Sequence, residues 1–233
     1  MYAKENLMDR IVQMSSRLNF KNLKQKQRSI RDKFPADLSL RVHRALSWLQ
    51  RAELAHDDSD AVFIFYWISF NAAYADDRDT YQVFGERSIF EEYFERIIVL
   101  DIEKKIIEAI WQKFSGPIRM LLDNKYVFQP FWSFQNQVPG YDDWEDRFIK
   151  SKKRTQIALQ QQDTKVILST LFDRLYVLRN QLLHGGATWN SKVNRQQVQD
   201  GSKILAFLVP LFIDLMMDNP NINWGAPYYP VVD

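Results

Sequence analysis

Residues 163–186 read DTKVILSTLFDRLYVLRNQLLHGG, and this stretch decides the fold class. Asp163 is a capping residue, Gly185-Gly186 is a stop, and the residues between carry helical periodicity. At about 100° per residue, Leu171, Leu175, Leu178 and Leu182 fall in one narrow apolar stripe. Asp173, Asn180 and His184 fall together on the far side, with Asn180 and His184 one turn apart. Arg179 is out of place. It lies in the apolar arc near Leu175, Phe172 and Leu183, where a guanidinium needs a partner, an interface or a ligand, since burying an unpaired charge is costly.

The string Arg179-Asn180-Gln181-Leu182-Leu183-His184 resembles the R-N-x-x-x-H signature of the HEPN superfamily, small all-α proteins many of which are metal-independent endoribonucleases. The likeness rests on the Arg and His spacing, the Asn directly after the Arg, and the position at the end of a late bundle helix. Phe63 to Tyr74, FIFYWISFNAAY, is similar to the aromatic central helix of several bacterial branches. The resemblance implies an all-α, HEPN-like antiparallel helical bundle with additional inserted helices. It implies Arg179, Asn180 and His184 as catalytic residues, RNA as substrate, no metal and no cofactor. It implies a homodimer whose two motifs line one cleft, and a role as a toxin or antiviral defence component with an antitoxin or defence partner protein. Gly186 departs from toxin members that carry a tyrosine two residues after the histidine, the target of a partner nucleotidyltransferase, which puts antitoxin control by that route in question. The family also contains members that bind nucleotides, RNA or proteins without cutting.

The totals agree with a helical reading. A length of 233 residues and 46% hydrophobic content suffice for a substantial core, and seven glycines with eight prolines are few for a turn-dense β fold. With no cysteine, disulfides, thiol catalysis and Cys-ligated zinc are excluded, and a reducing cytoplasm fits. A net charge of +2 leaves any nucleic-acid surface to local patches. MYAKENLMDRIVQM lacks the apolar core of a signal peptide, and the apolar run from Ile204 to Met217 is too short to span a bilayer, so a soluble, cytoplasmic protein is expected.

Taken in order, the chain reads as one domain over 1–233. Residues 1–36 form a helical and basic extension, with a first helix over 1–19 and then Lys21, Lys24, Lys26, Arg28, Arg31 and Lys33, either a contact for RNA phosphates or a solvated helix face. Ala36-Asp37 opens a helix with Leu38, Val42, Ala45, Leu49 and Ala52 on its stripe, and His43 beside it reads as a partly buried histidine. In HDDSD, His56 and its aspartates fit an N-cap at Ser59 or Asp60 better than a metal site. The aromatic helix 60–75 is apolar on two faces, which fits a central position or a protomer contact. Asn71, at the edge between the faces, is a supporting residue that either hydrogen-bonds to the Arg179 region or caps a buried backbone group. Residues 76–162 read as a helical insertion starting at DDRD, with helices over 86–99 and 101–114, a break at Gly116-Pro117 with a short helix after it, and an irregular aromatic segment over 126–141. Asp142 starts a helix carrying Arg147, Lys150, Lys152, Lys153 and Arg154, and the last four would hold the RNA backbone if they flank the Arg179–His184 cleft. Ser191 reads as the cap of the last helix, and a proline-rich tail over 219–233 is pinned by Trp224, Tyr228 and Tyr229.

The chemistry follows from the residue types. Metal-free RNA cleavage needs a base for the 2′-hydroxyl proton, an acid for the leaving oxygen, and a cation for charge on the phosphorane. Imidazole titrates near neutrality and suits the proton transfers, while a guanidinium keeps its proton and matches phosphate oxygens. Asn180 orients His184 or donates to the phosphate. Two structural alternatives stand beside this: Arg179 paired with a buried acid, and His184 capping the helix C-terminus. Histidine phosphotransfer is a third class, but it needs a mid-helix histidine near a lysine rather than one abutting a glycine stop.

Overall fold

The computed structural model describes residues 17–75, 86–227, 229 and 231. The expected helix over 1–19 lies almost wholly outside the described residues, as does the DDRD stretch. Among the described residues ten α-helices follow in chain order: α1 (Phe20–Ile30), α2 (Ala36–Leu54), α3 (Ser59–Tyr74), α4 (Glu86–Leu100), α5 (Lys105–Glu108), α6 (Ser115–Leu122), α7 (Gln129–Gln135), α8 (Trp144–Gln161), α9 (Thr164–Leu183) and α10 (Arg195–Asp218). No β-strand occurs among the described residues, and the fold is all-α.

Side-chain caps set several of the boundaries. Asp163 accepts from the Val166 N–H at 3.0 Å and starts α9. Asp58, rather than Ser59 or Asp60, caps α3 by accepting from the N–H groups of Asp60 and Ala61. Asp101 accepts from Lys105 and Ile106, so the helix expected from 101 begins at Lys105 and continues as a π-helical turn over Ala109–Lys113. The Ser191 hydroxyl accepts from Val193 in the preceding turn, and α10 starts only at Arg195. The aromatic segment 126–141 is less irregular than its composition suggests, because Pro130 in the first turn of α7 costs no helical hydrogen bond.

The core is one cluster of rings and branched chains. Phe70 on α3 sits at its centre, 4.6 Å from Phe172 on α9 and 6.2 Å from both Phe94 on α4 and Phe212 on α10, centroid to centroid. The ring contacts also fix direction. Phe70 meets Phe172 and Trp67 meets Tyr176, so α3 and α9 run antiparallel. Ser202 donates to the Ser59 carbonyl while Phe70 meets Phe212, so α3 and α10 run parallel. Lys165 pairs with Glu95 and Phe172 meets Phe90, so α4 runs antiparallel to α9. The section read as an insertion therefore supplies core: Phe90, Tyr93, Phe94 and Ile97 are all buried in the same cluster.

Arg41 on α2 is fully buried and donates to four carbonyls, those of Ala73, Ala75, Gly225 and Ala226. The tail is thus held by its backbone, with Trp224 buried beside it, whereas Tyr229 is exposed and engages Arg44 through its carbonyl. Tyr228 lies outside the described residues. Among the described residues no helix is long and apolar enough to cross a membrane.

Candidate functional site

Helix α9 buries Ile167, Leu168, Leu171, Phe172, Leu175 and Leu178 completely, which fixes its rotation. The stripe ends there: Leu182 is half-buried and Leu183 is 51% exposed. The C-terminus closes in a Schellman turn, with Gly185 at φ +69° and the Gly186 N–H donating to the Gln181 carbonyl at 2.8 Å. This turn leaves His184 exposed at the C-cap of the helix.

Arg179 is half-buried. Its Nη1 donates to the Asn180 Oδ1 at 2.8 Å, and its guanidinium carbon lies 5.5 Å from the Tyr176 ring centroid. The Nε–H is buried with no hydrogen-bond partner among the described residues. Arg179 therefore has no ion pair with a buried acid among the described residues. Five residues of helix rotate the chain by about 140° net, so Arg179 and His184 leave the helix on different sides, with Asn180 between them.

The same face of α9, further toward its N-terminus, forms one wall of a half-open cavity of about 580 Å³. Asp173, Arg174, Tyr176 and Val177 come from α9, and Arg147, Lys150, Ser151 and Arg154 come from α8. Phe90, Phe128 and Tyr141 add rings. Four cations face one carboxylate in this lining. Arg147 is held by Asp143 and by the Gly140 carbonyl and stacks over Tyr141. Lys150 and Arg154 are exposed and make no ion pair among the described residues. Tyr176 joins the two regions, since it lines the cavity and lies beneath Arg179.

The expected phosphate-binding residues divide according to the faces of α8. Lys150 and Arg154, one turn apart, line the cavity, while Lys152 pairs with Asp123 and Lys153 is exposed away from the lining. Asn71 is not brought to Arg179. Because α3 and α9 are antiparallel, Asn71 lies near the level of Phe172, about 10 Å along the axis from Arg179. Its Oδ1 is buried without a hydrogen-bond partner among the described residues. In α1, Lys26 is tied to Asp214 and Asp218, which removes one cation from the supposed basic surface. His43 is exposed rather than partly buried, and His56 is exposed with no metal-binding cluster around it among the described residues. Asp60 instead forms a two-pronged pair with Arg195 and accepts from the Asn190 N–H, fastening the loop after α9 to the start of α3.

Arg174, absent from the residues expected at the site, is 2% exposed, donates from Nη2 to the Ser151 hydroxyl at 3.0 Å and lies 4.5 Å from the Phe128 ring centroid. The signal was present. On the helical wheel Arg174 lies as near the centre of the leucine stripe as Arg179 does, about 70° away on the opposite side.

No protein-family model, no curated protein and no solved structure matches this chain.

Proposed function

We propose that the chain is a metal-independent endoribonuclease of HEPN type, acting as a homodimer in a toxin or antiviral defence setting. The observation that carries the reading is the exposed imidazole of His184, presented by a Schellman turn on the face of α9 that also bears Asn180 and, further along, the cation-lined cavity. In this reading the imidazole of His184 takes the proton of a ribose 2′-hydroxyl. The 2′-oxygen attacks the adjacent phosphorus, the bond to the 5′-oxygen breaks, and that oxygen leaves with a proton from a second imidazole. The products are a 2′,3′-cyclic phosphate and a 5′-hydroxyl. Arg179 neutralises charge on the phosphorane, and Asn180 holds Arg179 toward the reacting face.

A second copy supplies the second imidazole, since one chain offers a single histidine at this end of α9. Two further features support a dimer. Arg179 and His184 of one chain diverge by about 140°, and the surface around them exposes Leu183, Trp189 at 75% and Val193 at 91%. Apolar groups of that size cluster at interfaces.

The reading predicts RNA cleavage that persists in EDTA, leaves cyclic phosphate ends, and is abolished by Arg179→Ala or His184→Ala with folding intact. Normal cleavage by either variant would rule it out. One observation favours a second reading, a helical module that binds RNA, a nucleotide or a protein without cutting: the four cations of the cavity lie at the level of Asp173–Arg174, about three turns from His184. Saturable RNA binding without turnover would select that reading.

A further inference from the structure

The geometry points to the cavity between α8 and α9 as a pocket for one unpaired base of single-stranded RNA, with Lys150 and Arg154 holding the strand's phosphates at its rim. The inference takes RNA as the ligand from the reading above and adds which form of RNA, and where it binds. Three features of the site argue for it.

The first is the pairing of charge with rings. Sequence-tolerant binding of single strands combines cations that track the backbone with aromatic faces on which bases stack. Here Lys150 and Arg154 stand exposed one turn apart at the rim, while Tyr141 and Tyr176 are half-buried ring walls. A surface that recognised phosphate alone would not need the rings.

The second is shape. A half-open cavity of about 580 Å³ is large enough for a nucleobase and its sugar. A base held in a duplex reaches such a cavity only after it is unpaired and unstacked, at a cost of a few kcal/mol. The deep, narrow major groove of duplex RNA also keeps side chains from base edges, so base-directed contact favours loops and single strands.

The third is alignment. Asp173, Val177, Asn180 and His184 follow one another on a single face of α9, and Tyr176 is shared between the cavity wall and the Arg179 guanidinium. From Asp173 to His184 is eleven residues of helix, about 16 Å. A strand with one base seated in the cavity passes over His184 a few nucleotides away, so scission falls at a fixed distance from the seated base.

The test uses the full chain carrying His184→Ala, so that binding is measured without cleavage. A fluorescent single-stranded oligoribonucleotide and the same sequence in duplex form are titrated by anisotropy across a salt series. The single strand is expected to bind at least ten-fold more tightly. Lys150→Ala with Arg154→Ala should reduce the slope of log K against log salt by about 1.4, the loss of two phosphate contacts on a single strand. Tyr141→Ala should weaken binding by about ten-fold while leaving that slope unchanged. All three positions are at the surface or half-buried, and unchanged melting temperatures verify folding. Equal affinity for duplex and single strand, undetectable RNA binding, or pocket variants that bind like the parent would each overturn the inference. The two readings fail separately: an uncut RNA that still shows this binding pattern sinks the nuclease alone, and normal cleavage with indifferent pocket variants sinks the base pocket alone.

Discussion

The Arg179 guanidinium donates to the side-chain oxygen of its own neighbour, Asn180, at 2.8 Å. Consecutive helical residues project about 100° apart, so this bond draws the guanidinium out of the apolar arc and toward the face that carries His184. Arg179 is thereby a residue with one foot in the core, and Asn180 is its positioning partner. Asn180→Ala should lower RNA cleavage by about 10- to 100-fold, less than the loss of about 10²–10⁴-fold or more expected for His184→Ala. His184 is exposed, so its replacement should shift stability by less than about 1 kcal/mol. Single-turnover cleavage alongside thermal melts measures both. Full activity in Asn180→Ala would show that Arg179 needs no such orientation.

Gly201 inverts a general preference. Glycine inside a helix is ordinarily about 1 kcal/mol worse than alanine, yet here an added Cβ would meet the Phe63 ring at 2.8 Å and Leu175 at 3.1 Å. Neither neighbour has room to yield, since both are fully buried where α3, α9 and α10 meet. Gly201→Ala is therefore expected to destabilise the chain by about 1–3 kcal/mol through overpacking. Urea denaturation decides the sign. A more stable variant would mean that α10 can shift away from α3 without loss.

Much of the bundle is legible in the residues alone, because helical periodicity marks which face of α2, α3 and α9 is buried. Leu171, Leu175 and Leu178 are found where a wheel places them. What periodicity conceals is a polar group that the fold has absorbed. Arg41 and Arg174 sit within apolar stripes, and only the three-dimensional neighbours, backbone carbonyls for one and Ser151 with Phe128 for the other, explain them. The candidate site divides in the same way. The exposure of His184 follows from its glycine stop, which is local. The separation of Lys150 and Arg154 from Lys152 depends on how α8 is rotated against α9, and that rotation is set by packing over the whole bundle. Asn71 does not reach Arg179 because the packing register of α3 against α9 sets it level with Phe172, near the middle of α9.

Asp58 links the start of α3 to the loop after α9. Burial pushes its carboxyl up, but the N–H groups of Ala61, Trp189 and Asp60 and the charge of Arg195 outweigh that and hold it below the usual aspartate range. A depressed value in the folded state means that the carboxylate's contribution to stability is fully present above about pH 4, near the unfolded value. It is lost as pH falls through the folded value. Asp58→Asn keeps a capping oxygen for Ala61 but removes the charge, so the stability gap between parent and variant should be widest near pH 6 and narrow toward pH 3. Denaturant midpoints across that range measure it. A gap independent of pH would assign the contribution of Asp58 to capping alone.

Arg41 is the most deeply buried charged side chain among the described residues. Its guanidinium is fully buried and satisfied by four carbonyls, two where α3 ends and two in the tail. Arg41→Met fills much of the same volume but removes the donor from all four carbonyls, of which that of Ala73 is buried and has no water to replace it. A loss of about 3 kcal/mol or more is expected. Arg41→Lys should recover little, because an ammonium cannot reproduce the planar fork that reaches both segments at once. Arg44 offers an internal comparison, since it also holds a tail carbonyl, that of Tyr229, but at the exposed surface. Arg44→Ala should cost less than about 1 kcal/mol, because water can replace it. Hydrogen exchange at the Gly225 and Ala226 amides separates the causes: faster exchange in Arg41→Met alone shows that the buried clamp holds the tail, whereas equal acceleration in both variants would mean that the surface contact does.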